Sequence, residues 1–255
     1  MEEAKKGLVQ SVSRAAAILR CFDGRGELGL TEISRMVGLH KSTTAGLVNT
    51  LRAERLLEQN PATGKLRLGI ELFRLSANVR LELGELCAPY LDELLRATGE
   101  TVSLAMQDGC SVVYVKKQES PHSMRICTNV GQRMPMHCTA AGKAILAFLA
   151  PEEVRRILSG GPLLQYTSNT ITDPELLLER LRRVREAGYA CDLEESEYGL
   201  VCVAAPVFGP AGKPVGALGV SGPSIRMTEQ IRQDTAKALL AVAASVRRDL
   251  AGLGG

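Results

Sequence analysis

Between Leu30 and Leu68 a short amphipathic helix, a glycine turn, a second amphipathic helix and a hairpin signal follow one another without slack. No other stretch constrains the chain as much, because this order outlines a winged helix-turn-helix. Thr31 has the chemistry of an N-cap, Glu32 puts negative charge in the first turn, and Ile33 and Val37 share one face before Gly38 ends the helix. Gly38-Leu39 is then the turn. A second helix is predicted from Lys41 to Arg55, with Leu47, Val48 and Leu51 inward and Lys41, Ser42, Thr43, Thr44 and Asn49 mostly outward. Its start is small, polar and free of acid, which suits a helix whose first turns approach phosphates and base edges in a major groove. Leu56-Leu57, the turn signal from Asn60 to Gly64, and Leu66 between Lys65 and Arg67 predict a basic-tipped hairpin, the wing.

Two helices and a hairpin also build small enzyme cores and docking modules, so the pattern alone leaves DNA binding near even odds. Charge decides. Of the chain's 31 Lys+Arg and 28 Asp+Glu, residues 1–70 hold 11 and 7, leaving 20 and 21 for the remainder. The positive excess is confined to the proposed reader. The 255 residues suffice for one large or two ordinary domains, and 4% aromatics with no Trp make any core aliphatic. No apolar run approaches the ~20 residues of a membrane span, and Met1–Lys5 does not open like a signal peptide, so a cytoplasmic protein is expected. Seven cysteines, an odd count in irregular positions, predict reduced thiols, not a disulfide framework.

In chain order, a helix from about Val12 to Phe22 is expected to pack Val12, Ala15, Ala16 and Leu19 on the reader. After the wing, Ile70 to Leu83 predicts an apolar linker helix that also packs on a second subunit, broken or bent at Gly84. A helix from Leu86 to Ala97 follows. Val102, Leu104 and Met106 alternate as a strand, Asp108-Gly109 turns, and Val112–Val115 returns. A short strand is expected at Met124–Cys127. Helices are predicted from Thr139 to Leu149, from Pro151, and from Asp173-Pro174-Glu175 to Gly188. Leu200–Phe208 and Val215–Ser221 form a second hairpin, and Thr228–Leu250 a last helix with Ile231, Leu239, Val242, Val246 and Leu250 on one stripe. Hairpins and helices segregated in this way imply an α+β domain around one antiparallel sheet.

Several of these segments carry a resemblance. Ser11-Val12-Ser13-Arg14-Ala15, Leu30-Thr31-Glu32-Ile33-Ser34, Gly38-Leu39-His40-Lys41-Ser42-Thr43 and Leu66-Arg67-Leu68-Gly69 resemble the N-terminal domain of the IclR family of bacterial transcriptional regulators. His40 stands where the family usually has Pro. Downstream, Gly131, Pro135, His137 and Thr139–Lys143 resemble one family motif, Asp192, Glu194, Glu195, Gly199 and Cys202 a second, and Ser221-Gly222-Pro223 a third. The resemblance implies a winged helix-turn-helix at 8–69, a linker helix at 70–84 and a GAF-like effector-binding domain at 85–252. It implies DNA contacts by Arg14, Thr31, Lys41, Ser42, Thr43, Thr44, Lys65 and Arg67. It also implies a small ligand held by Ala140, Ala141, Asp192, Cys202 and Ser221, with Gly219 in place of a second serine.

Backbone donors at a helix start together with a serine favour an anionic ligand, most simply a carboxylate, that also offers a hydrogen-bond donor to Asp192. Gly219 leaves room for a ligand larger than a two- or three-carbon oxoacid. Two other readings remain. His137, Cys138, Cys191 and Cys202 could form a metal or thiol-redox sensor, though without the paired spacing of a zinc site. Cys202 or Cys191 with His137 and Asp192 could form a cysteine hydrolase, though no nucleophile elbow accompanies them. The expected protein is a ligand-responsive regulator without a cofactor, a homodimer or dimer of dimers on double-stranded operator DNA, with no membrane partner and no enzymatic activity.

Overall fold

The computed structural model describes residues 8–76, 82–126 and 129–252. The chain divides into two compact units, Met1–Arg80 and Leu81–Gly255. The first contains α1 (Gln10–Arg20), α2 (Leu30–Val37), α3 (Lys41–Ala53), the hairpin β1 (Leu57–Gln59) and β2 (Leu66–Leu68), and α4 (Ile70–Ser76). Its core is Ile18, Phe22, Leu28, Ile33, Val48, Leu51, Leu57 and Leu66. Each such aliphatic side chain withdrawn from water contributes about 1.5–3 kcal/mol, which is what holds three short helices that would not persist alone.

Local chemistry departs from expectation at three points. Helix α1 buries Ile18, while Val12, a turn and a half before it, lies exposed. Helix α2 begins at Leu30, so its N-cap is Gly29 and Thr31 is an exposed residue of the first turn. Glu32 reaches back to accept from the Gly29 N–H at 2.7 Å, the partner that Thr31 was expected to be. The third is Thr44, which is fully buried and donates its hydroxyl to His40 O at 3.2 Å. Gly38 ends α2 with φ of 64°, a left-handed conformation that sets the turn into α3.

The second unit is α+β. It comprises α5 (Glu82–Thr98), β3 (Thr101–Asp108), β4 (Ser111–Gln118), β5 (Arg133–Pro135), α6 (Ala140–Leu146), α7 (Pro151–Leu158), α8 (Pro174–Ala187), β6 (Ala190–Leu193), β7 (Leu200–Phe208), β8 (Pro214–Pro223) and α9 (Glu229–Gly252). The six strands form one sheet in the order β5-β4-β3-β8-β7-β6, with every neighbouring pair antiparallel. Gly84 does not break α5. It is buried inside a helix that runs on through Pro89, so the expected separate helix from Leu86 is part of a longer one. Of the proposed 70–84 linker, Ile70–Ser76 is helical in the first unit and Glu82 onward belongs to α5; Val79 lies outside the described residues. Residues 121–126 form bends and coil in place of the strand expected at Met124–Cys127, and Cys127 is outside the described residues.

The two faces of the sheet differ. Val102 and Leu104 of β3, Val201, Val203, Ala205 and Val207 of β7, and Leu218 and Val220 of β8 pack on α5 and α9. The alternate positions are small: Ala105, Ala204 and Ala217 meet α6, α7 and α8. Small side chains let α6 approach closely, and all seven of its residues are buried. Gly142 is obligatory there, because a Cβ would lie 2.3 Å from Met136 Cα.

Candidate functional site

In the first unit, Lys41, Ser42 and Thr43 are exposed at the start of α3. His40 caps that helix: its Nδ1 accepts from the Ser42 N–H at 3.4 Å and lies 2.9 Å from Ser42 Oγ. Thr44 belongs to the core and is not available to a groove. On the wing, Lys65 is exposed, whereas Arg67 pairs with Glu58 directly across the β1–β2 ladder. Leu28 extends that ladder by exchanging two 2.9 Å bonds with Leu66. Glu27 then ties the tip, accepting from Asn60 Nδ2 and Thr63 Oγ1, and these two bonds hold its carboxyl below the ordinary range. Arg14 is half-exposed on α1.

In the second unit, strand register brings the predicted effector residues into one row. Asp192 pairs with Cys202, Cys202 with Ser221, and Ser221 with Thr101, so four polar or sulfur side chains from β6, β7, β8 and β3 lie abreast. Side chains that alternate with Val201, Val203 and Val220 face the α6 side of the sheet. Ser221 Oγ donates to Cys202 Sγ at 3.1 Å. The N-cap Thr139 accepts from the Gly142 N–H, and its carbonyl from the Lys143 N–H. The buried Ala140 and Ala141 N–H groups have no partner among the described residues.

Two hydroxyls that sequence reasoning did not single out lie on the same face in neighbouring rows, Ser103 opposite Gly219 and Tyr114 opposite Ala105. Ser103 pairs with Gly219, is buried, and has no hydrogen-bond partner among the described residues. Its Oγ would lie 3.7 Å from a Cβ at position 219, so it occupies the neighbourhood that the missing serine leaves polar. Tyr114, packed into the same layer, is likewise without a hydroxyl partner among the described residues. Burial first, then Cys202 and Asp192, push its phenol well above the ordinary value, so it remains a neutral donor. Alternation in β3 marked Ser103 as the face opposite Val102 and Leu104; nothing in the sequence marked Tyr114.

Asp192 has a structural task in addition to the effector contact expected of it. One oxygen accepts from the Glu195 N–H at 2.7 Å and the Ser196 N–H at 3.3 Å, and the other accepts from Ser196 Oγ. It organises the 193–196 turn, and burial nevertheless raises its carboxyl. That turn delivers Glu195 to Lys143, forming an ion pair whose side chains are 5% and 0% exposed. Glu195 Oε2 is buried without a partner among the described residues.

His137 Nε2 lies 2.9 Å from Leu164 O, and burial lowers the imidazole below its ordinary value, so the ring is neutral and Nε2 carries the donated proton. Cys191 packs with the α5–α9 face and Cys202 with the α6 face. Strand alternation thus places the two thiols on opposite sides of the sheet, which removes the four-residue metal or redox cluster and the Cys191 nucleophile. Burial pushes Cys138 up to about 12 and Cys202 higher still, so neither is a thiolate near neutrality.

A winged helix with an exposed polar recognition-helix start, joined in one chain to an α+β unit with a buried polar row, defines a regulator that reads DNA and carries a separate ligand domain. The chain belongs to the IclR family of bacterial transcriptional regulators. The IclR helix-turn-helix domain matches residues 11–61, and the bacterial transcriptional regulator IclR C-terminal domain matches residues 76–248. The chain is 37% identical over 217 residues to the HTH-type transcriptional regulator XynR of Escherichia coli K12, covering 84% of this chain and 86% of that one. An IclR transcriptional regulator from Alicyclobacillus acidocaldarius superimposes with a TM-score of 0.84 at 30% identity, over 95% of this chain and 99% of that one. An IclR homologue from Microbacterium hydrocarbonoxydans, solved with 4-hydroxybenzoate, superimposes with a TM-score of 0.80 at 25% identity, over 94% and 99%. The relatives are transcriptional regulators, not enzymes. No helix among the described residues is long and apolar enough to cross a membrane.

Proposed function

We propose that this regulator binds operator DNA through Lys41, Ser42 and Thr43 with Arg14 and Lys65 at flanking phosphates, and that its GAF-like second unit binds a small carboxylate. The observation that carries the ligand reading is the set of donors on the α6 side of the sheet without a partner among the described residues: the Ala140 and Ala141 N–H groups and the Ser103 and Tyr114 hydroxyls. These donors lie open enough for a ligand to reach, and a carboxylate that accepts from several of them at once gains charge-assisted hydrogen bonds. Raising Asp192 above its ordinary value lessens the repulsion that it would exert on an anion. Glu195 Oε2, not Asp192, is then the acceptor for a ligand hydroxyl. The Microbacterium homologue's 4-hydroxybenzoate, a carboxylate bearing one hydroxyl, fits that description.

The regulator acts as a homodimer or dimer of dimers, since two half-sites engaged together give operator affinity that one reader lacks. Ligand in the second unit shifts the population of reader placements that fit the operator spacing. Calorimetric titration of 4-hydroxybenzoate, benzoate and 4-hydroxybenzamide tests the carboxylate reading. The hydroxy acid should bind tightest, and Ser103→Ala should weaken it by roughly ten- to hundredfold, the worth of a charge-assisted bond. Equal affinity for the neutral amide would overturn the carboxylate assignment.

A further inference from the structure

The end of α6, α7 and α8 meet around a hollow of about 280 Å³. Its floor is aliphatic, with Leu149 and Val154 buried and Leu178 half-buried. Its rim carries the guanidinium groups of Arg155, Arg182 and Arg185, and no carboxylate lines it. The arrangement is written into α8, where Leu178 and Arg182, then Arg185, recur at the spacing of one helix face.

These cations are poorly neutralised. Arg182 has no hydrogen bond or ion pair among the described residues. Arg155 meets Glu152 at 3.4 Å with both side chains at least 70% exposed, a pair worth little in water. Arg185 is held in place, its Nε donating to Ala147 O at 2.7 Å and its guanidinium lying 5.7 Å from the Phe148 ring centroid, with its terminal nitrogens unpartnered among the described residues. Arg183, which does not line the hollow, pairs with Glu179 at 2.5 Å, one turn away on the same helix. None of the three arginines that face the apolar floor is held by a buried carboxylate.

We propose that this hollow is a second ligand site, which takes a small amphipathic carboxylate with its hydrophobic body on the Leu149–Val154–Leu178 floor and its head between Arg182 and Arg185. An oil-lined cleft with unneutralised guanidinium groups at its mouth complements that chemistry and no simpler one. Acetate lacks the body, and an alcohol lacks the charge that a guanidinium fork recognises. The volume, at the small end of ligand pockets, limits the body to a short chain or a single ring. The site is separate from the polar row on the sheet, and its occupancy does not depend on what that row binds.

The test is calorimetric titration of the full-length protein with octanoate, octanol and acetate, using Arg182→Gln, Leu178→Glu and, as a control, Arg183→Gln. Octanoate should bind at least tenfold more tightly than octanol or acetate. Arg182→Gln and Leu178→Glu should each weaken it tenfold or more, while Arg183→Gln leaves it unchanged. All three positions are exposed or half-exposed, but Leu178→Glu also touches the floor, so Arg182→Gln is the variant that decides if the other fails to fold. Absence of octanoate binding at millimolar concentration, equal affinity for octanol, or equal losses in Arg182→Gln and Arg183→Gln would each overturn the proposal.

Discussion

Lys143, in the last turn of α6, and Glu195, in the turn after β6, form an ion pair sealed from solvent, so removing either leaves the other charged and buried. A buried charge deprived of its partner costs about 3–5 kcal/mol, far more than the pair contributes over an apolar substitute. Glu195→Ala and Lys143→Ala should each lower stability by that amount. Lys143→Met combined with Glu195→Leu should cost clearly less than the sum of the single changes, as measured by urea unfolding. Additive losses would show that the pair is not coupled.

The adjacent threonines of α3 divide between surface and core, Thr43 exposed and Thr44 buried. Thr43→Ala should alter sequence preference among operator variants while leaving stability near wild type. Thr44→Val should lose about 1 kcal/mol of stability, through the hydroxyl bond to His40 O, and leave preference intact. Selection of DNA ligands from a random pool with both variants, beside thermal melts, separates the two outcomes.

On the wing, Lys65 is free to meet a phosphate while Arg67 is already countered by Glu58. Lys65→Ala should reduce the slope of log affinity against log salt by about 0.9, the release of one counterion. Arg67→Ala should change it less. Fluorescence anisotropy across a salt series reads both.

Gly219→Ser should fold normally, because a Cβ there meets only ordinary contacts, none nearer than 3.7 Å. It should favour smaller acids over ring-bearing ones in titration. Gly142→Ala should destabilise the unit by more than 3 kcal/mol, since backbone and not a flexible side chain blocks its Cβ.

Among the described cysteines, Cys110 is exposed, whereas Cys138 and Cys202 are held protonated by burial. Iodoacetamide at pH 8 should label Cys110 and spare the other two. A thiol shifted up to about 12 is about one part in ten thousand ionised at that pH, and its labelling should climb tenfold per pH unit. Peptide mass spectrometry gives the answer; fast labelling of Cys202 in folded protein would revive the thiol-sensor reading.

The elements written in periodic or capped segments were legible: α3, the β3–β4 and β7–β8 hairpins, and α8 between Asp173 and Gly188 lie where pattern and punctuation put them. Errors arose where tertiary packing overruled local chemistry. Thr44 looks like any polar residue of a helix start, yet the domain buries it. Gly84 looks like a helix breaker, yet α5 passes through it because burial against the sheet outweighs about 1 kcal/mol of propensity. Strand β6 was hidden inside an acidic motif, and without it the register that aligns Asp192, Cys202, Ser221 and Thr101 could not be drawn. Tyr114 reaches that face opposite Ala105, a cross-strand pairing that no linear spacing contains.

The sheet's unequal faces have an evolutionary consequence. Its α5–α9 side is filled by interlocking branched chains, where added or lost volume strains the whole layer. The α6 side is paved with Ala, Gly, Ser and Cys, so a substitution at Ser103, Gly219 or Ser221 re-sculpts the ligand's surroundings while the opposite layer is untouched. With the effector in the proposed place, effector preference and foldability are inherited on separate sides of one sheet, and a lineage can change the molecule it senses by single steps without passing through an unfolded ancestor.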